Sequence, residues 1–474
     1  MTDLTVRTLD ASSTKITPDT LAALRSKLRG TVALPGEDGY DAARSIWNAM
    51  IDRRPALVVR CLGAADVINA VTLARNEKLL LAVRSGGHNI AGNAVCDGGL
   101  LIDLSLMKSV HVNPASRTAR VEPGATLADF DKEAQGFALA TPLGINSTTG
   151  VAGLTLGGGF GWTTRKFGLT VDNLISADVI TADAKLVRAS DKENQDLFWA
   201  LRGGGGNFGI VTSFEFKLHP LGPEVLSGLV VHPFNKAGEL LREFRRIAKE
   251  APDELTTWIV MRKAPPLPFL PTEWHGKEVL IFAVCYSGDI KEGEKAMHAL
   301  RALGKPIVDV ISPHPFTGWQ AAFDPLLTPG ARNYWKSHDF TDLSDAAIKV
   351  ILDAAHTLPS PECEVFIAHV GGAMARIAPD ATAWSNRNAH FIMNVHTRWR
   401  DRAEDSACVA WARRLFDAAA PFASGSVYVN FMPDDEKDRV ANAYGANYRR
   451  LADIKRRYDP GNLFRMNQNI RPTN

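Results

Sequence analysis

Of the chain's 38 glycines, 20 lie between Gly86 and Gly209. Glycine loses more conformational freedom on folding than any other residue. Such a concentration implies backbone that must approach something closely, and a large phosphorylated cofactor is the default candidate. Three segments carry it. Arg84-Ser-Gly-Gly-His-Asn89 follows the apolar run LLLAV at 79–83. Two glycines and a serine after a strand either make a tight turn or present successive N–H groups as a nest for phosphate oxygens. GVAGLTLGGGFG at 150–161 surrounds the apolar Val151, Leu154 and Leu156 with six glycines. That pattern suits backbone against a flat ligand, or else close packing between elements. LRGGGGNFGI at 201–210 contains GxGxxG at Gly204, Gly206 and Gly209. A dinucleotide fingerprint needs a helix next, whereas IVTSFEF at 210–216 reads as a strand. That reading fails on context, and no GxxxxGK[ST] occurs.

The rest of the chain bounds the classes of function. With 474 residues, 45% hydrophobic and 22% charged, the length suggests two or three domains. Fifty-four basic against 52 acidic residues give no electrostatic case for nucleic acid or an anionic membrane. No apolar run reaches the ~18 residues of a membrane span. The start, MTDLTVRTLDASSTK, lacks a charged region followed by an apolar stretch, so a cytoplasmic location is expected. The five cysteines are widely spaced without a CxxC pair. They read as buried free thiols in a reducing compartment, and no metal site is expected.

Periodicity divides the chain further. Residues 17–29 read as a helix capped by Thr17 or Asp19. A strand at 56–61, a helix at 64–76 and a strand at 79–83 form a unit that favours a parallel crossover. Short strands follow at 100–104 and 118–121, a helix at 127–135, and strands at 178–181 and 210–216. After Pro220 glycine thins out and apolar and polar residues alternate. Strands are expected at 279–285, 364–369 and 391–396, and helices at 236–249 and 291–303. This is the pattern of an antiparallel sheet with helices on one face. The tail reads as a strand at Tyr428, a helix at 440–457 and a closing segment, NLFRMNQNI.

Four segments together resemble one family. They are RSGGHNIAG (84–92), GVAGLTLGGGFGWTTRKFGLTVDN (150–173), DLFWALRGGGGNFGIVTSFEF (196–216) and YVNF…YDPGNLFRMNQNI (428–470). The chain resembles the berberine-bridge-enzyme-like FAD-linked oxidases of the vanillyl-alcohol-oxidase superfamily, with a PCMH-type FAD-binding fold. It is similar to the bacterial 6-hydroxy-D-nicotine oxidase group. The resemblance implies an α+β fold in which a two-part FAD-binding domain (1–220 and 421–474) holds an inserted substrate domain (221–420) built on an antiparallel sheet. It implies an oxidase moving hydride from an alcohol, saccharide or amine substrate to the flavin, with molecular oxygen as acceptor. A dehydrogenase with another acceptor, a secondary-metabolite tailoring enzyme and a flavin protein without catalysis are the alternatives. Oligomeric state stays open.

The resemblance also implies site residues. Cofactor contacts map onto Arg84, Ser85, Gly86, Gly87, His88, Asn89 and Gly92. They continue at Thr148, Thr149, Gly150, Gly153, Leu154, Gly158, Gly159 and Gly161, then at Gly209 and Val211. Tyr428, Asn430 and Asn467 complete them from the tail. In the family the histidine of RSGGH is bonded to FAD, which here is His88. Many members add a second link through a cysteine where this chain has Asn146, so a single link is expected. Thr149 stands where valine goes with oxidase behaviour, and it is nearly isosteric with valine. Alcohol-oxidising relatives end a YxNY motif with a tyrosine base, but here the motif ends in Phe431, which cannot accept a proton. Either an amine reacts without a base, or the base comes from elsewhere. The candidates are His369, His390, His396 and Tyr334, with Asn394 and Lys336 beside them. Strand alternation puts His390, Ile392, Asn394 and His396 on one face.

Overall fold

The computed structural model describes residues 2–473. Its first half is built on two sheets. One has strand order Thr31–Ala33, Leu57–Arg60, Leu100–Asp103, Leu81–Arg84. The expected crossover through the helix Ala64–Asn76 is present, but its two strands do not touch. Leu100–Asp103 lies between them and pairs parallel to both. All four of its residues are buried, the pattern of a central parallel strand covered on both faces. The second sheet is antiparallel and includes Thr118–Val121, Leu174–Ile180 and Ile210–Lys217.

Residues 224–399 form the third and largest sheet, antiparallel and eight-stranded. Its long strands are Glu224–Pro233, Glu278–Tyr286, Leu255–Lys263, Glu364–His369, Phe391–Trp399 and Arg332–Phe340, paired in that order. Period-two alternation gives this sheet two different faces. Leu226, Ile259, Phe282, Ile367 and Met393 face helices and pack with Leu240, Phe244, Ile348, Ile351, Trp411 and Leu415. The helix Ala237–Glu250 serves that face because its apolar residues recur at 237, 240, 241, 244, 247 and 248, one stripe of a 3.6-residue period. The other face carries Trp258, Val260, Phe366, Asn394 and His396 over a cavity.

The local expectations differ from the structure in three places. The helix at 291–303 is broken into Ile290–Ala296 and His298–Arg301. The tail strand at Tyr428 is instead a short 3-10 turn, Val429–Phe431. The helix expected over 440–457 stops at Tyr444 and resumes at Tyr448. Gly445 has a φ of +50° there, a left-handed conformation that a continuous helix excludes. The Asn447 amide anchors the break by donating to the carbonyls of Pro379, Thr382 and Ala383. Thr17 is the cap of the first helix, accepting from the Thr20 N–H at 3.2 Å. Among the described residues no helix is long and apolar enough to cross a membrane.

One buried pair joins the halves. Gln320 Nε2 donates to Asp131 Oδ2 at 2.9 Å, while Asp131 Oδ1 and Gln320 Oε1 lack partners. Burial pushes the Asp131 carboxyl up to about 7. A carboxyl whose folded value is raised contributes stability below its unfolded value and loses it as pH rises towards the folded one. Asp131→Asn is therefore expected to match the wild type near pH 4 and to exceed it in urea midpoint at pH 8. An equal midpoint at both pH values would refute the assignment.

Candidate active site

One cavity of about 770 Å³ runs between the glycine-rich loops, the tail and the open face of the large sheet. That volume is near the top of the range for ligand sites. At one end Arg84 closes its strand and turns away from the cavity. Its guanidinium donates to the Ala43 carbonyl at 2.6 Å and lies 3.8 Å from Asp103. Ser85, Gly86, Gly87, His88 and Asn89 then form the wall. Gly86 stacks on Gly150, so a Cβ on Gly86 would lie 2.5 Å from the Gly150 Cα. Only glycine lets these two backbones meet.

His88 stacks on Trp47, with ring centroids 5.2 Å apart. Its Nε2 faces Thr148 Oγ1 at 3.2 Å, and that hydroxyl donates to Asn146 Oδ1 at 2.7 Å. His88 is half-buried in the concave wall, and desolvation there pushes its imidazole down to about 4. It is neutral at pH 7, with a lone pair available for bonding. None of the five cysteines, all buried, lines the cavity.

The cradle can be tested for a flat phosphorylated group. Thr149, Gly150, Gly153, Leu154, Gly209 and Val211 line the cavity, as do Tyr428, Asn430 and Asn467. A Cβ at Gly153 or Gly206 would meet no atom within 4 Å; both borders stay open because no side chain fills them. Asn467 Oδ1 is buried without a partner. Burial raises Tyr428 to about 12, so it is no base at neutral pH. Its hydroxyl oxygen instead accepts from the Gly159 N–H at 3.2 Å and Asn430 Nδ2 at 2.9 Å. Bare backbone, an unpaired amide oxygen and a neutral histidine in one long cavity fit FAD.

Other expected contacts stand off the wall. Gly158 packs on the Trp384 ring, Gly159 on Thr170 and Gly161 on the Leu143 carbonyl. These three glycines are required by packing. Gly92 packs against Ile51, and Thr148 reaches the site only through His88 and Asn146.

The base candidates separate cleanly. His390 precedes the strand Phe391–Trp399 and is exposed, with backbone bonds to Phe340 and Val370. His369 lies on the helix side of the sheet, beside Phe244, with Nε2 3.0 Å from the Arg165 guanidinium. Tyr334 also lies on that side and donates to Asp435 at 2.7 Å. Lys336 pairs with Glu436 at 2.7 Å. Asn394 and His396 do line the cavity. Sequence reasoning missed Trp47, Arg262, Trp335, Glu364 and Phe366, which share that wall. Alternation within 258–262 and 364–366 could have grouped them; nothing local marks Trp47. Phe431 sits edge-on to Trp335 and Phe366, with centroids 5.6 and 5.8 Å away.

Comparison with known proteins agrees with an FAD-binding fold. The family described as "FAD binding domain" matches residues 55–190, and "Berberine and berberine like" matches 427–471. The (R)-6-hydroxynicotine oxidase of Paenarthrobacter nicotinovorans is 32% identical over 457 residues, covering 94% of this chain and 97% of the relative. An FAD-linked oxidoreductase of Dictyostelium discoideum is 31% identical over 451 residues, covering 94% of this chain and 95% of the relative. The crystal structure of 6-hydroxy-D-nicotine oxidase from Arthrobacter nicotinovorans superimposes with a TM-score of 0.85 at 30% identity, covering 94% of this chain and 98% of that one. A xylooligosaccharide oxidase from Myceliophthora thermophila shares the fold, with a TM-score of 0.84 at 24% identity, covering 96% of this chain and 99% of that one.

Proposed function

The chain belongs to the berberine-like family of FAD-linked oxidoreductases, and from that premise we propose that it is an oxidase carrying its FAD on His88 alone. It oxidises a small organic substrate at a C–H bond beside oxygen or nitrogen, and molecular oxygen is its electron acceptor, giving hydrogen peroxide. The observation that carries this reading is the continuity of one cavity from the cradle at His88 to the aromatic wall at Asn394 and His396. Bound FAD supplies the two-electron acceptor for the substrate's hydride.

The chain's own residues do the rest. The bare edges at Gly153 and Gly206 leave room for the cofactor. Trp258, Trp335, Phe366 and Phe431 exclude water and present flat apolar surfaces, which suit an aromatic or otherwise apolar substrate. Asn146 stands where a cysteine would make a second link. Thr149 lines the wall with a small side chain, which favours access of oxygen. The buried thiols fit a reducing, cytoplasmic setting.

Acid precipitation tests the reading. The wild-type pellet is expected to be yellow, with mass raised by one FAD on the peptide that contains His88. His88→Ala is expected to give a colourless pellet. A colourless wild-type pellet would overturn the covalent link, and peroxide-free, slow reoxidation in air would overturn the oxidase.

A further inference from the structure

Phe431 cannot take a proton, yet oxidation of an alcohol calls for a base. The sheet supplies one on the opposite wall. His396 is 3% exposed and lines the cavity. Its Nδ1 lies 3.0 Å from Glu364 Oε1, and Glu364 Oε2 accepts from Arg262 Nη1 at 2.7 Å. The arrangement follows from strand register: Arg262 pairs with Glu364, and Glu364 pairs with His396. Directly opposed residues project to the same face.

Burial opposes ionisation of Glu364, but the Arg262 charge and the His396 hydrogen bond outweigh it and hold the carboxyl below its ordinary value. An ionised carboxylate at Nδ1 keeps the ring proton there and leaves Nε2 with its lone pair. Nε2 has no partner, and neither has either amide atom of Asn394. Asn394 is wholly buried two residues along the same strand face. Trp335 and Phe366 pack edge-on against His396, with ring centroids 4.8 and 6.1 Å away. Besides His396, the charged groups acting on Glu364 are Arg262 and Arg398. Buried polar atoms without partners are rare in native proteins; these three belong to neighbouring residues on one wall of the cavity, beside the unpartnered indole nitrogens of Trp258 and Trp335.

We propose that His396, held by Glu364 and Arg262, is the general base for an alcohol substrate whose oxygen Asn394 orients. The inference rests on the FAD-oxidoreductase reading. The substrate O–H bond breaks and its proton goes to Nε2. The electron pair of that bond closes the C=O bond as the carbon's hydrogen leaves as hydride, with the C–H pair, to the bound flavin. The product is an aldehyde or ketone, and two electrons have left the substrate.

The test uses the holoenzyme, His396→Gln and Glu364→Gln, with benzyl alcohol, cinnamyl alcohol, glucose and benzylamine as probes. Anaerobic bleaching of the flavin is followed from pH 5 to 10, and ¹⁵N-histidine spectra report the His396 tautomer without turnover. At least one alcohol is expected to bleach the wild type. His396→Gln, at unchanged flavin content, is expected to be ~10²–10⁴-fold slower with it, the usual size of a general-base contribution. Its rate should also lose the wild-type ionisation step. The wild-type spectrum should show hydrogen on Nδ1, and Glu364→Gln should mix the tautomers. An unchanged rate in His396→Gln, or hydrogen on Nε2 in the wild type, overturns the proposal. Bleaching by the amine but by no alcohol also overturns it and leaves the FAD reading intact. A yellow wild type that no probe bleaches overturns the proposal, and a colourless one overturns both.

Discussion

Lys455→Met is expected to lower stability by about 3–5 kcal/mol, the cost of leaving a buried charge without its partner. Flavin retention should fall with it. Lys455 and Asp459 are fully buried and 2.7 Å apart. The ammonium also donates to the Asn207 carbonyl at 2.6 Å and the Phe464 carbonyl at 2.9 Å. Asp459 accepts from the Leu463 and Phe464 N–H groups at 2.7 and 2.8 Å. Asn207 in turn bonds the Gly204 and Gln468 carbonyls and the Ile470 N–H. The pair therefore ties the loop at 204–207 to the tail at 463–470, and both border the cavity. Urea unfolding and flavin absorbance after gel filtration would measure the two effects. Adding Asp459→Leu should recover part of the stability, because an apolar pair avoids the stranded carboxylate. A single variant as stable and as yellow as the wild type would disprove the clamp.

A second large effect separates two glycines three residues apart. Gly150→Ala would place a Cβ 2.6 Å from the Gly86 N and 2.8 Å from its Cα. Backbone cannot swing aside as a side chain can, so a loss of about 1–3 kcal/mol is expected, as for overpacking. Gly153→Leu meets nothing within 4 Å. It sits on an exposed face of the helix Val151–Leu156, where replacing glycine favours the helix. Its melting temperature should hold or rise while its flavin content falls, because the new side chain occupies the cavity. If Gly153→Leu keeps a full complement of flavin, the wall at Gly153 does not meet the cofactor.

These two glycines also mark how far the sequence could be read. The run GVAGLTLGGGFG announced close approach, but not of what. Gly153 opens onto the cavity, whereas Gly158, Gly159 and Gly161 are held by Trp384, Thr170 and Leu143. The distinction depends on residues far along the chain. The same holds for the histidines. Alternation grouped His390 with Asn394 and His396, yet the strand begins at Phe391 and leaves His390 in solvent. His369 is one residue out of phase with Phe366 and Ala368, and so lies on the helix face.

What the sequence determined by itself was local. The helix at 64–76 with the strands beside it, the composition break at Pro220, the place of His88 after its strand and the loss of a proton acceptor at Phe431 all depend on neighbouring residues or on residue type. Tertiary structure decided which face looked onto the cavity and which polar groups met there. The Arg262–Glu364–His396 row arises from the register of three strands separated by up to 102 residues in one bonded pair. Register is a property of pairing across the sheet, and period-two alternation within one strand cannot say which of its two faces is turned inward.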